Sequence, residues 1–167
     1  MTLYGIDYTE RMLPIVAAGA RYKVAVIKSQ GTLEEKALNV GKELSKVIEG
    51  VGKQYGKIGE TKFQMEVADA LNRIVKGKVF VDEELGEVVV LENLGIMFEP
   101  GLGIDVVSFL RKVSKITLTV LLWPGEIGED RLYFLDRESE ITLKQTDINY
   151  ITISNTVTYY SSSRLLT

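Results

Sequence analysis

Three runs of consecutive apolar residues alternate along the chain with segments whose apolar residues recur at three- and four-residue steps. The first run, Lys23-Val-Ala-Val-Ile27, is β-branched and suits a strand buried on both faces. Glu87–Leu91 repeats that pattern, and Lys115–Trp123 predicts a third strong strand, halted by Pro124-Gly125. Between the first two, Leu33, Ala37, Val40, Leu44, Val47 and Ile48 align on one face of a helix, which Gly50 is expected to end. Gly52, Gly56 and Gly59, with lysines between them, read as a connector. A second helix follows, with Phe63, Val67, Leu71, Ile74 and Val75 inward. Asp105–Val113 predicts another, burying Val106, Val107, Phe109, Leu110 and Val113. Shorter strands are expected at Arg131–Leu135, Glu140–Leu143 and Ile148–Ile153. The first ~20 residues are read as adding a helix that Pro14 must start or kink.

Near-continuous apolar strands separated by helices predict an α/β fold, a mainly parallel sheet sandwiched by helices. One domain is expected over residues 1–154, followed by a polar C-terminal tail, 155–167, rich in Ser, Thr and Tyr. A chain of 167 residues can bury the core of a single domain. The net charge of −3 carries no basic excess, which argues against DNA contact by the chain on its own, since that affinity comes from counterion release. With no cysteine and no histidine, the chain has no disulfide framework, thiolate metal site, His-bound zinc or Ser-His-Asp triad. No apolar run approaches the ~20 residues of a membrane span and no signal-peptide start is visible, so a cytoplasmic protein with no membrane partner is expected.

The segment after the first strand is where a nucleotide-binding protein would carry its phosphate loop. Such a loop needs glycines, so that backbone N–H groups can wrap phosphates, and a Lys followed by Ser or Thr. Here it reads Lys28-Ser-Gln-Gly-Thr-Leu-Glu-Glu-Lys-Ala37, with one glycine and no Gly-Lys-Ser/Thr. Thr32 and Glu35 form a Thr-x-x-Glu capping box, and Glu34 and Glu35 put negative charge at the positive end of the expected helix. A plain capped helix is therefore favoured over phosphate binding. Gly50-Val-Gly-Lys-Gln54 mimics a phosphate-loop fragment but follows a helix, and reads as a C-cap and hinge.

The strand Val88-Val-Val-Leu91 ends in Glu92-Asn93. In a metal-assisted phosphohydrolase a carboxylate at such a strand end holds Mg²⁺, and a following Glu polarises water. Glu92 can serve the first role; Asn93 cannot act as a base. A polar strand end facing solvent or capping a turn explains the pair equally well. Trp123 closes the neighbouring strand, as core or rim packing rather than a base-stacking platform. Arg111, Lys112 and Lys115 cluster at the negative end of the 105–113 helix, as a solvated face.

The run Val88-Val-Val-Leu-Glu-Asn-Leu-Gly-Ile-Met-Phe-Glu-Pro100, then Asp105-Val-Val, Leu110, Ser114-Lys115 and Trp123-Pro-Gly125, resembles the small P-loop-containing BrxF proteins of type 3 bacteriophage-exclusion (BREX) systems. The resemblance covers about the central quarter of the chain, and residues 20–48 more loosely. It implies a P-loop NTPase-like fold and service in prokaryotic antiphage defence beside other protein components, with self-association left open. The chain departs from the family at the absent glycine-rich loop, at Glu92 for Asp, at Ser114-Lys115 for Ser-Arg, at Asp105-Val106 for Asp-Pro, and around Asp136–Ile141, where a His-Pro-Glu-Tyr-like element is missing.

The sequence is read as a degenerate P-loop NTPase-like adaptor without efficient hydrolysis. A divergent ATP-binding switch or slow ATPase is the alternative, and a nucleic-acid-binding module the third. If nucleotide binds, ATP and Mg²⁺ are the cofactors, with Lys28, Ser29, Gln30, Gly31, Thr32 and Lys36 at the phosphates and Glu92 at the metal. Otherwise no cofactor is implied, and no catalytic residue is assigned.

Overall fold

The structure, a computed structural model, describes residues 2–3, 6–7, 17–28, 36–53 and 55–153. The C-terminal tail, most of the first 16 residues, and Ser29, Gln30, Gly31 and Thr32 lie outside them. Ten strands are labelled in chain order: β1 (Thr2–Leu3), β2 (Ile6–Asp7), β3 (Val24–Lys28), β4 (Ala37–Asn39), β5 (Phe80–Asp82), β6 (Gly86–Glu92), β7 (Leu118–Trp123), β8 (Arg131–Tyr133), β9 (Thr142–Lys144) and β10 (Ile151–Ile153). Among the described residues, the longer helices are α1 (Val40–Gly52), α2 (Tyr55–Lys78) and α3 (Val106–Ser114), residues 17–19 are also helical, and two 3-10 turns occupy Gly95–Phe98 and Pro100–Leu102.

The three strong apolar runs form the centre of the sheet, where both faces must be apolar. The strand order is β10-β3-β7-β6-β4, all parallel, with β5 added antiparallel to β6. One side of β6 pairs with β7, and its other side is shared between β4 (at Val90–Glu92) and β5 (at Gly86–Val88). Successive side chains point to opposite faces. Val24, Val26, Val89, Leu91 and Leu121 accordingly join one core and Ala25, Ile27, Val88, Val90 and Leu122 the other. The first core holds Leu44 of α1, Val67, Leu71 and Val75 of α2, and Phe109 and Leu110 of α3, so α1, α2 and α3 pack on that face. On the opposite face Ala17, from the helical residues 17–19, packs against the second core. The fold is α/β, with a mostly parallel central sheet flanked by helices.

Two expectations are corrected. The helix after β3 does not include Ala37, which with Leu38 pairs in register with Val90 and Leu91 and is buried in β4. Burial against the sheet outweighs the local helical periodicity, and α1 opens at Val40 behind the N-cap Asn39. Gly50 does not end α1 either; the helix runs on to Gly52. The second helix is found with its expected inward face, over a longer span in which Gly59 (φ 78°, ψ 167°) breaks helical geometry.

α3 begins where expected. Asp105 caps it, accepting from the Ser108 amide at 3.0 Å and the Ser108 hydroxyl at 2.9 Å. These two donors stabilise the ionised form and hold the carboxyl below its ordinary value of 3.8. A depressed folded-state value means stabilisation that is present above the ordinary carboxylate range and lost as pH falls through the depressed one. Asp105→Ala is expected to cost about 1 kcal/mol at pH 7. In urea titrations at descending pH, that gap should shrink once the pH drops below 3.8.

Candidate functional site

In open α/β sheets ligands collect outside the carboxyl ends of the strands, at the point where the chain leaves two adjacent strands in opposite directions. β3 and β7 are that pair. The chain leaves β3 for β4 at one edge, and leaves β7 for β10 at the other, while Lys28 and Trp123 stand side by side in register. Here the chain itself closes the crevice. The Lys28 ammonium donates to the Pro124 carbonyl at 3.0 Å and also to the Gly125 carbonyl. Trp123, 1% exposed, donates its indole N–H to the Tyr133 carbonyl at 2.8 Å. Its ring meets Phe98 edge-on at 6.4 Å, and Phe98 leans on Phe134 at 5.7 Å.

The roof is the segment after β7, which doubles back so that the Tyr133 amide donates to the Glu126 carbonyl at 2.8 Å and β8 pairs antiparallel with β9. Gly125 lies pressed under it. A Cβ there would sit 2.7 Å from the Phe134 carbonyl carbon and closer still to the Tyr133 oxygen. Trp-Pro-Gly is thus a structural corner, and Trp123 belongs to the core.

Of the other sequence-derived site residues, Ser29, Gln30, Gly31 and Thr32 lie outside the described residues, and Lys36 and Glu92 do not converge on this point. Lys36 lies with its ammonium 4.8 Å from the centre of the Phe80 ring, at the β5 end of the edge strands. Glu92 ends β6, one strand beyond β7, and is 6% exposed. It lines an open groove of about 690 Å³ with Asn39, Lys42, Glu43, Arg73 and Lys78. Asn93 adopts φ 54°, a left-handed conformation that Asn tolerates. Its carbonyl accepts from the Gly41 amide at 3.0 Å, and its side-chain amide donates to Asn39 Oδ1 at 2.8 Å. Asn39 Oδ1 also accepts from the Lys42 amide at 2.9 Å. Two of the amides that a helix N-terminus would offer an anion are therefore satisfied from within the chain.

Magnesium binds proteins through one or two carboxylates completed by substrate phosphates and water. The groove holds two carboxylates, Glu43 and Glu92, together with three cations, Lys42, Arg73 and Lys78. Among the described residues, no group of three or more potential ligands is gathered around a metal position. The basic cluster on α3 also differs from expectation. Lys112 and Lys115 are exposed, but Arg111 is half-buried, donating to the Asp147 carbonyl with its guanidinium 5.9 Å from the Tyr22 ring centre. It ties α3 to the approach of β10.

Sequence reasoning missed Asn39 as the cap because Thr32-x-x-Glu35 offered a stronger local signal; Asn directly before Val40 was the available clue. The lining by Arg73 and Lys78 had no sequence signal, since it depends on how α2 crosses the sheet. Comparison with known proteins finds no family model, no curated protein and no solved structure that matches this chain.

Gly125→Ala is expected to destabilise the fold by roughly 3 kcal/mol, because the obstruction is backbone and cannot rotate away. Gly41→Ala tests the second junction. Alanine gains up to about 1 kcal/mol of helix propensity over glycine, but its Cβ would lie 2.8 Å from Asn93 Cγ. A net loss of about 1 kcal/mol is expected in chemical denaturation, and a net gain would show that Asn93 does not hold the helix end.

Proposed function

We propose that this protein is a non-hydrolysing adaptor built on a P-loop NTPase-like scaffold, serving a prokaryotic antiphage defence system of the BREX kind beside larger protein components. The defence assignment rests on the BrxF resemblance of the segment from Val88 to Gly125. The scaffold half of the reading is supported by the parallel sheet, in which β7 separates the strand leading into the loop from the acid-ended strand. Two strand spacings, roughly 10 Å, then lie between Lys28 and Glu92 at one carboxyl edge.

The observation that carries the adaptor half is the closed crevice. Lys28, the cation best placed for phosphate, is engaged by the carbonyls of Pro124 and Gly125. For nucleotide to enter, these bonds and the Trp123–Tyr133 bond would have to break. A charge-assisted bond contributes about 1.5–3 kcal/mol and a neutral one such as the indole bond about 0.5–1.5 kcal/mol, less where solvent reaches it, a cost that ATP would have to offset without a glycine-rich cradle.

Isothermal titration with ATP and with ADP, each with and without Mg²⁺, tests the reading. No heat at millimolar nucleotide is expected. Magnesium-dependent micromolar binding that is lost in Glu92→Ala would overturn the adaptor reading in favour of a nucleotide switch. For the defence role, deleting the gene from its host should raise phage plating efficiency, and unchanged plating would remove that part.

A further inference from the structure

α2 and α3 lie on the same face of the sheet and leave a trough between them, whose wider part opens by the starts of β6 and β7, at the end opposite the crevice. It comprises two connecting hollows of about 190 and 660 Å³ that share Asn72 and Lys112. The α2 wall is built from Leu71, Asn72, Val75 and Lys76 and extends past the helix end to Val79. The α3 wall repeats the spacing with Ser108, Phe109, Lys112 and Val113 and extends to Ile116. Each wall is built mainly on one helical face, and with Ala68 and Asp105 at their starts both span twelve residues, eleven steps. At 1.5 Å per residue this makes a trough roughly 16 Å long, the length of three helical turns.

The wider hollow is rimmed by exposed apolar side chains. Val81 is 78% and Ile116 71% exposed, the two most exposed large hydrophobic residues among those described. Lys76 and Lys112 stand one on each wall, both exposed. The carboxylate there, Glu87, accepts from the Thr117 hydroxyl at 3.2 Å. A slot rimmed by exposed apolar side chains and flanked on both sides by lysines has a defined complement.

We propose that this trough docks an amphipathic helix of a partner protein, about three turns long, with apolar side chains seated between α2 and α3 and acidic residues along both flanks facing Lys76 and Lys112. The inference rests on the adaptor reading and supplies its interaction surface. Lysines on both walls argue against a second copy in the slot, since each copy would bring its own lysines to the contact.

The test uses the isotope-labelled full-length chain and two synthetic capped peptides of roughly fourteen residues. Both carry leucine at helical spacing; one has glutamate flanks and the other lysine flanks. The glutamate peptide should give saturating amide shifts along α2 and α3, and the lysine peptide none. Lys76→Glu with Lys112→Glu should weaken the glutamate peptide roughly tenfold, as expected for two rim charge pairs, and admit the lysine peptide. Ile116→Asp, at an exposed site and so without consequence for folding, should weaken it too. Three results would overturn the proposal: no saturating shifts in the trough, equal binding of both peptides, or sedimentation showing a dimer that Ile116→Asp dissolves. Nucleotide heat with peptide binding intact would count against the adaptor reading alone, whereas a silent trough with no nucleotide heat would count against the docking surface alone.

Discussion

The functional reading depends on one interlock at the carboxyl end of β7. The Lys28 ammonium holds the Pro124 and Gly125 carbonyls, the Trp123 indole holds the Tyr133 carbonyl, and Gly125 leaves room for the returning chain. Each donor meets a backbone acceptor, so the contact does not depend on the rotamer of a second side chain. A cation that would otherwise face solvent at the mouth of the crevice becomes part of the roof over it. The rings of Phe98 and Phe134 pack beside Trp123. Its indole bond is part-buried, which strengthens it relative to the same bond in solvent, whereas the Lys28–Pro124 bond is exposed.

A parallel α/β sheet offers ligands two resources at its carboxyl edge, the switch-point crevice and the free amides of helix N-termini. This chain occupies both with its own groups. The crevice is roofed by residues 124–134, and α1 is capped by Asn39 and braced by Asn93. The two closures are chemically independent, since one uses a lysine and an indole and the other two asparagines. A lost catalytic site would need only one of them. Having both leaves the described part of the carboxyl edge engaged by the chain's own groups, as the proposed adaptor role requires.

The central strands were legible because they are buried on both faces and need no partner information to be recognised. The inward face of α2 and the start of α3 were legible for a similar reason, periodicity and an Asp cap being local signals. β4 was not. Ala37-Leu38-Asn39 is three residues long and fits the helical repeat that continues into Val40 and Leu44; only pairing with Val90–Glu92 makes it a strand. The site was legible in part. Glu92 does end its strand at the carboxyl edge beside β7, as its position after an apolar run implied. The surroundings that decide its chemistry, Lys42 from α1 and Arg73 and Lys78 from α2, come together only through the helices' placement on the sheet. The engagement of Lys28 was hidden for the same reason, since its acceptors lie nearly a hundred positions away along the chain.

The two ends of the sheet differ in a way that follows from these contacts. At the carboxyl end, Lys28 of β3 and Trp123 of β7 donate to backbone carbonyls. At the amino end, α2 and α3 diverge, and the chain leaves Val81 and Ile116 in solvent beside two lysines. Exposing such residues is unfavourable for a monomer, because each forgoes the roughly 1.5–3 kcal/mol that burial of a large aliphatic side chain provides. Single exposed hydrophobics are ordinary, but here they rim a three-turn slot with matched walls. Filling it from within would need one more helix between α2 and α3. The described chain runs directly from α3 through Lys115–Thr117 into β7, so no connection at that point can supply one. The missing layer of the core is most economically provided by another molecule.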